Sequence, residues 1–180
     1  MAIAVSNRYA RALADVVGES GGDYRGILRE LGNFLALYRQ SAELREVLET
    51  PAVPLEKKVK VLDAIVARLG ASKLATNFLR VLVRNYRIRL LGEINAAFLR
   101  IAYERLGVVQ VEVFSATDLS PAEQQALRAR FQEVTRKQVE LEFHLDAGLL
   151  GGIVAQIQST VYDGSVRGQL NRIREELYQL

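Results

Sequence analysis

Few side chains in this sequence are suited to chemistry. His144 is the single histidine. Glu140 and Glu142 alternate with its neighbours, so three polar groups share one face of a segment that reads as a strand. An imidazole and two carboxylates are metal-ligand types, but three alternating strand positions cannot close a coordination sphere without further ligands, and the sequence indicates none. Nucleophilic catalysis needs a base beside a serine, threonine or cysteine. No such partner is indicated for His144, and cysteine is absent, which excludes disulfides, thiolate nucleophiles and cysteine-ligated metals.

Gly148, Gly151 and Gly152 invite comparison with a phosphate-binding loop. Their spacing is neither GxGxxG nor GxxxxGK[ST], and no helix follows them. They are better suited to a sharp turn and a close backbone approach before a strand. Lys57, Lys58 and Lys60 form a basic cluster that reads as a solvated helix face. No aromatic side chains are interleaved with them, as single-stranded nucleic-acid binding would require. The chain therefore reads as a binding protein without catalytic residues, cofactor or metal.

The elements that carry these residues fall into two groups. Up to residue 106 the apolar period is helical. Ser6 or Asn7 can cap a first helix, where Val5, Tyr9, Ala12 and Val16 form one stripe and Ala10, Leu13, Ala14 and Val17 continue it, so nearly half the cylinder is apolar. One core contact needs a stripe only somewhat wider than ~100°, which leaves surface for a second contact. A second helix carries Tyr24, Ile27, Leu31, Phe34 and Tyr38. A short one, Ala42 to Glu49, stops before Thr50–Pro51. Pro54 opens Leu55 to Leu69, ended by Gly70. Ser72 caps a fifth helix with Leu74, Phe78, Leu79, Val81 and Leu82. A turn at Tyr86 to Arg89 leads into a sixth, from about Leu90 to Leu106.

The period then changes to two. Val109, Val111 and Val113 make one strand, and Val139, Leu141, Phe143 and Leu145 a second; a third begins at Ile153. Ser120–Pro121–Ala122–Glu123 opens an intervening helix that runs to about Lys137. Asp163–Gly164 is a turn, and Ser165 caps a terminal helix with Val166, Leu170, Ile173 and Leu177 on one face. The expected fold class is α+β: an N-terminal six-helix bundle over residues 1–106, then a small α/β domain over residues 107–180 with about three strands and two helices. The second part is near the lower size limit for an independent core, and is expected to gain order from a partner.

The 180 residues carry a net charge of +3, unevenly spread: residues 1–106 hold 17 Lys/Arg against 11 Asp/Glu, and residues 107–180 hold 7 against 10. The two parts are thus expected to meet different partners. Arg8, Arg11 and Asp15 interrupt any signal-peptide core in the first helix, and no apolar run reaches the roughly 18 residues of a membrane span. A soluble protein, or one peripheral to a membrane, is expected.

Several segments together resemble one family. Arg8–Tyr9–Ala10–Arg11–Ala12–Leu13 is similar to the N-terminal motif of the delta subunit of bacterial F-type ATP synthase, whose mitochondrial counterpart is the oligomycin-sensitivity-conferring protein. Asn77–Phe78–Leu79–Arg80–Val81–Leu82, with Arg87 and Leu90, resembles that family's fifth helix and following turn. Leu149–Leu150–Gly151–Gly152–Ile153, then Val161–Tyr162–Asp163–Gly164–Ser165–Val166–Arg167–Gly168–Gln169–Leu170, is the most specific piece. The chain departs from the family at Asp146–Ala147, where Asp-Pro is common, and at Gln158–Ser159, where Gly-Asp is common.

The resemblance implies a non-catalytic stator subunit of a proton-translocating ATP synthase, present in one copy per complex and peripheral to the cytoplasmic face of the cell membrane. It would link the catalytic head to the peripheral stalk so that rotor torque drives ATP synthesis. Helices one and five would grip N-terminal segments of alpha subunits, and the second domain would bind the C-terminal ends of the b subunits. Placed on this sequence, the head contact falls on Tyr9, Ala12, Val16, Phe78, Val81 and Leu82, and the stalk contact on Val166, Leu170, Ile173 and Leu177. The competing readings are a basic helical nucleic-acid-binding or transcription adaptor, motivated by a pI near 9.3, and a small enzyme built on His144.

Overall fold

Local signals fix several helix ends. The carboxylate of Asp23 accepts from the Arg25 amide at the start of α2 (Tyr24–Gln40), and the Ser41 hydroxyl accepts from the Leu44 amide at the start of α3 (Ala42–Glu49). Gly70 ends α4 (Leu55–Leu69) in the left-handed conformation open to glycine. Ser72 caps α5 (Lys73–Arg84) through the Ala75 amide, and its own amide and hydroxyl both donate to Glu30. A 3-10 turn, Ile88–Leu90, leads into α6 (Leu91–Leu106). The first helix differs from expectation. α1 spans Ala2–Glu19, so Ser6 is an interior residue, buried, with its hydroxyl donating to Glu93 of α6 at 2.9 Å.

The structure is a computed structural model that describes residues 2–157 and 160–178, with the side chains of residues 2, 172, 173 and 175–178 outside the description. Gln158 and Ser159, where the chain departs from the family pattern, lie outside the described residues. The chain divides into two compact units, Met1–Ala102 and Tyr103–Leu180.

Among the described residues, the first unit forms a single apolar core. α1 supplies Ala10, Leu13, Ala14 and Val17; α2 supplies Leu31 and Phe34; α5 supplies Leu79 and Leu82; α6 supplies Ile94 and Phe98. The Tyr24 ring lies 6.2 Å from that of Phe98, and its hydroxyl donates to the Ala14 carbonyl. Lys58 corrects the reading of a solvated lysine cluster. It is fully buried on the inner face of α4 with Leu62 and Val66, while Lys57 and Lys60 are exposed.

The second unit is a four-stranded sheet in the order β2-β1-β3-β4, with β1 (Val108–Ser115) parallel to β2 (Gln138–Leu145) and antiparallel to β3 (Ile153–Ile157). The fourth strand, β4 (Thr160–Asp163), pairs antiparallel with β3 and corrects the expectation of about three. Register aligns Val111 with Leu141 and Ile157, and Val113 with Phe143 and Ala155, so one face is apolar. α7 (Pro121–Thr135) starts with the expected capping box between Ser120 and Glu123. It lays Leu127 and Phe131 against that face, and the Phe131 ring meets Tyr162 of β4 edge-on. Among the described residues only Val111, Val113, Val139 and Ala155 are buried in this core, which is small beside that of the first unit. α8 (Val166–Tyr178) follows.

Candidate partner-binding surfaces

Two of the residues first considered for chemistry, His144 and Glu142, have structural partners. The His144 ring stacks on Phe114 with centroids 5.1 Å apart, and its Nε2 lies 3.7 Å from Glu142. Gln110 donates to the other oxygen of Glu142 at 2.7 Å. Among the described residues no three His, Cys, Asp or Glu side chains converge as a metal site.

The two glycine motifs hold each other. The Gly164 amide donates to the Ile153 carbonyl at 2.9 Å, and the Val166 amide donates to the Gly151 carbonyl at 3.0 Å. Gly151 and Gly152 have φ of 152° and 79°, outside the range favoured by other residues. The Asp163 carboxylate accepts from the Ser165 amide, and the Ser165 hydroxyl accepts from the Gly168 amide in the first turn of α8. The expected role of these residues, a turn and a close approach, is what the geometry shows. They anchor the start of α8 to the sheet.

The helix faces carry the surfaces available to partners. On α1 the buried positions 6, 10, 13, 14 and 17 occupy one arc. Val5, Tyr9, Ala12 and Val16 follow the i, i+4, i+7, i+11 spacing and lie to one side of it. Tyr9 is half-buried against the core, Ala12 is exposed, and Val16 is 51% exposed. α5 repeats the arrangement. Its buried arc is Ala75, Leu79, Leu82 and Val83, and beside it run Leu74, Phe78 and Val81. Leu74 and Phe78 are half-buried and Val81 is 44% exposed. Each helix thus has one apolar stripe in the core and a second that reaches solvent.

Leu82 is a correction. It is fully enclosed in the core, so a partner cannot reach it without opening the first unit. The neighbour overlooked was Leu74, one turn before Phe78 on the same outer stripe; its i, i+4, i+7 spacing to Phe78 and Val81 was the available signal. Arg80 faces the other way, with its Nε donating to Asp63 of α4 at 2.8 Å, and this hydrogen bond raises the guanidinium pKa further.

On α8, Val166 and Leu170 are exposed, at 41% and 57%; the side chains of Ile173 and Leu177 lie outside the description. Leu150, beside the glycine pair, is also exposed. Among the described residues no helix is long and apolar enough to cross a membrane.

Comparison with known proteins gives a consistent picture. The family described as ATP synthase delta (OSCP) subunit matches residues 5–177. The chain is 40% identical over 174 residues to the ATP synthase subunit delta of Acidobacterium capsulatum, covering 97% of each chain. It is 36% identical over 173 residues to that of Koribacter versatilis, covering 96% of this chain and 97% of the other. The fold is similar to that of a chain in the Toxoplasma gondii mitochondrial ATP synthase hexamer, with a TM-score of 0.70 at 22% identity, over 96% of this chain and 97% of that one.

Proposed function

The chain belongs to the ATP synthase delta (OSCP) subunit family, and from that premise we propose how its surfaces serve the work of a stator. It is a non-catalytic stator subunit of a proton-translocating F-type ATP synthase: a structural part of the complex without an active site of its own. The nucleic-acid adaptor reading has no support from these relatives.

The first unit grips the N-terminal segment of an alpha subunit, as an amphipathic helix laid along the outer stripes of α1 and α5. The observation that carries this reading is the exposure of Val16 and Val81 at the ends of two matching apolar stripes. An amphipathic helix binds such a surface through its own i, i+3, i+4 and i+7 anchors, and Ala12 is small enough to admit it closely. Tyr9, Ala12 and Val16 on α1 and Leu74, Phe78 and Val81 on α5 are the contacts. The second unit takes the C-terminal ends of the b subunits on the α8 face begun by Val166 and Leu170.

Half-exposed valines supply about 1 kcal/mol each on full burial, while a nanomolar joint needs about −12 kcal/mol. Neither surface need reach that alone. Two weak contacts to the same assembly raise each other's effective concentration. One copy per complex, held at the cytoplasmic face of the membrane through its partners, then suffices to keep the head from turning with the rotor. Co-purification tests the reading: tagged protein in detergent-solubilised membranes is expected to bring down alpha, beta and b subunits, and their absence from the eluate would contradict it.

A further inference from the structure

Three features converge at the end of α3 and the turn after α5. The first is a cleft of about 300 Å³ lined by Leu48, Glu49, Pro51, Tyr86, Ile88 and Arg89. The second is Lys58, whose side chain is fully buried and whose Nζ has no hydrogen-bond partner among the described residues; it lies 5.2 Å from the centroid of the Tyr86 ring, one wall of the cleft. A buried cationic group without an anion or hydrogen-bond acceptor is costly, and the face of one ring offsets only part of that cost. The third is Tyr86 itself. It follows α5 with φ of 56°, a position where glycine is the usual residue, so a large side chain is held over Lys58 in a strained backbone conformation while more than half exposed.

The charges of the cleft do not balance. Glu49 is its one carboxylate. One oxygen accepts from the Tyr38 hydroxyl, and the other is 3.8 Å from Arg89 Nε, beyond hydrogen-bond distance. Arg89 is the lining cation; Lys58, beside the Tyr86 ring and not itself on the lining, adds a second positive charge without a hydrogen-bond acceptor among the described residues, next to walls made by Leu48, Pro51 and Ile88. The volume stands at the lower end of small-molecule pockets, enough for one ring or branched chain and its headgroup.

From this we infer that the cleft binds an apolar group bearing a single carboxylate, with the carboxylate compensating Lys58 and Arg89. Tyr86 is the cover that the ligand displaces. The carboxylate belongs either to a free small acid or to the C-terminus of a chain ending in an apolar residue. The inference is independent of the outer stripes of α1 and α5.

The test uses the full-length chain, isotope-labelled, titrated with 4-phenylbutyrate and with 4-phenylbutanol at neutral pH and followed by two-dimensional amide NMR. The acid is expected to shift the amides of Leu48, Ile88 and Arg89 saturably, at least tenfold more tightly than the alcohol. Lys58→Met is expected to remove that preference while keeping alcohol binding. Equal affinities for acid and alcohol in the parent protein would overturn the proposal, as would shifts that do not saturate at those amides. Should Lys58→Met not fold, Tyr86→Ala replaces it, with tighter acid binding expected; unchanged acid affinity overturns the proposal. A tripeptide, acetyl-Gly-Gly-Phe with a free carboxylate, separates the sources. Tighter binding than phenylbutyrate assigns the site to a chain terminus, and weaker binding assigns it to a small acid.

Discussion

A Cβ built on Gly152 would stand 2.5 Å from the carbonyl oxygen of Gly164 and 2.9 Å from the Cα of Ser165. The loop before β3 and the turn before α8 therefore touch backbone to backbone, and the amide bonds from Gly164 to Ile153 and from Val166 to Gly151 close the contact. Two motifs a dozen residues apart in the chain form one joint, and that joint sets where α8 leaves the sheet.

Gly152→Ala is predicted to destabilise the second unit by about 3 kcal/mol, from a left-handed φ and a collision with backbone that cannot rotate away. Gly21→Ala is the control: its φ is also positive, but its Cβ meets nothing within 4 Å. It is expected to cost only about 1 kcal/mol. Urea unfolding of both variants, followed by circular dichroism, makes the comparison; equal losses would contradict the close-approach account.

Lys58→Met is predicted to stabilise the first unit by about 1–3 kcal/mol, because an apolar chain of similar length replaces a buried group whose Nζ has no hydrogen-bond partner among the described residues. Thermal denaturation at neutral pH is expected to show a higher midpoint. A lower one would mean that the contact with Tyr86 outweighs the cost of burial.

Ser72→Ala is predicted to cost about 1–2 kcal/mol. The hydroxyl both caps α5 and donates to Glu30 of α2, so its loss frays a helix and leaves a carboxylate with fewer donors. Ser72→Thr is expected to recover most of the loss in a denaturant titration.

Glu123 is held below its ordinary carboxylate pKa, first by the Ser120 hydroxyl and then by the Ser120 amide. The sign follows from linkage. A depressed folded-state value means the cap contributes fully above the unfolded-state pKa and is lost as pH falls through the folded one. Ser120→Ala is expected to bring the Glu123 titration up toward ordinary carboxylates, read by carbon-detected NMR of its side chain; no movement would dismiss the capping box as the cause.

Much of this was legible in the sequence, and the exceptions have physical reasons. The caps at Ser72 and Ser120 and the stop at Gly70 were readable because each rests on residues within one turn. Leu82 was assigned to a partner face because a helical wheel gives neighbours but not the rotation of the helix in its bundle, which the packing of Leu79 and Val83 decides. Lys58 read as solvated by residue type. Its i, i+4, i+8 relation to Leu62 and Val66 was the signal for burial, and residue type masked it. Ser6 looked like a cap, but α1 starts four residues earlier and spends that hydroxyl on Glu93. β4 is four residues long, too short for a period of two to show.

In the proposed function, two separate surfaces tie the head to the stalk. The most direct measurement is pull-down with two single variants of the tagged subunit, compared with the parent. Val81→Asp is predicted to weaken capture of alpha subunit at least tenfold, because a carboxylate would be buried without a partner, while b-subunit capture is retained. Leu170→Asp is predicted to do the reverse. Both variants capturing both partners like the parent, or each losing both to the same extent while still folded, would contradict the claim.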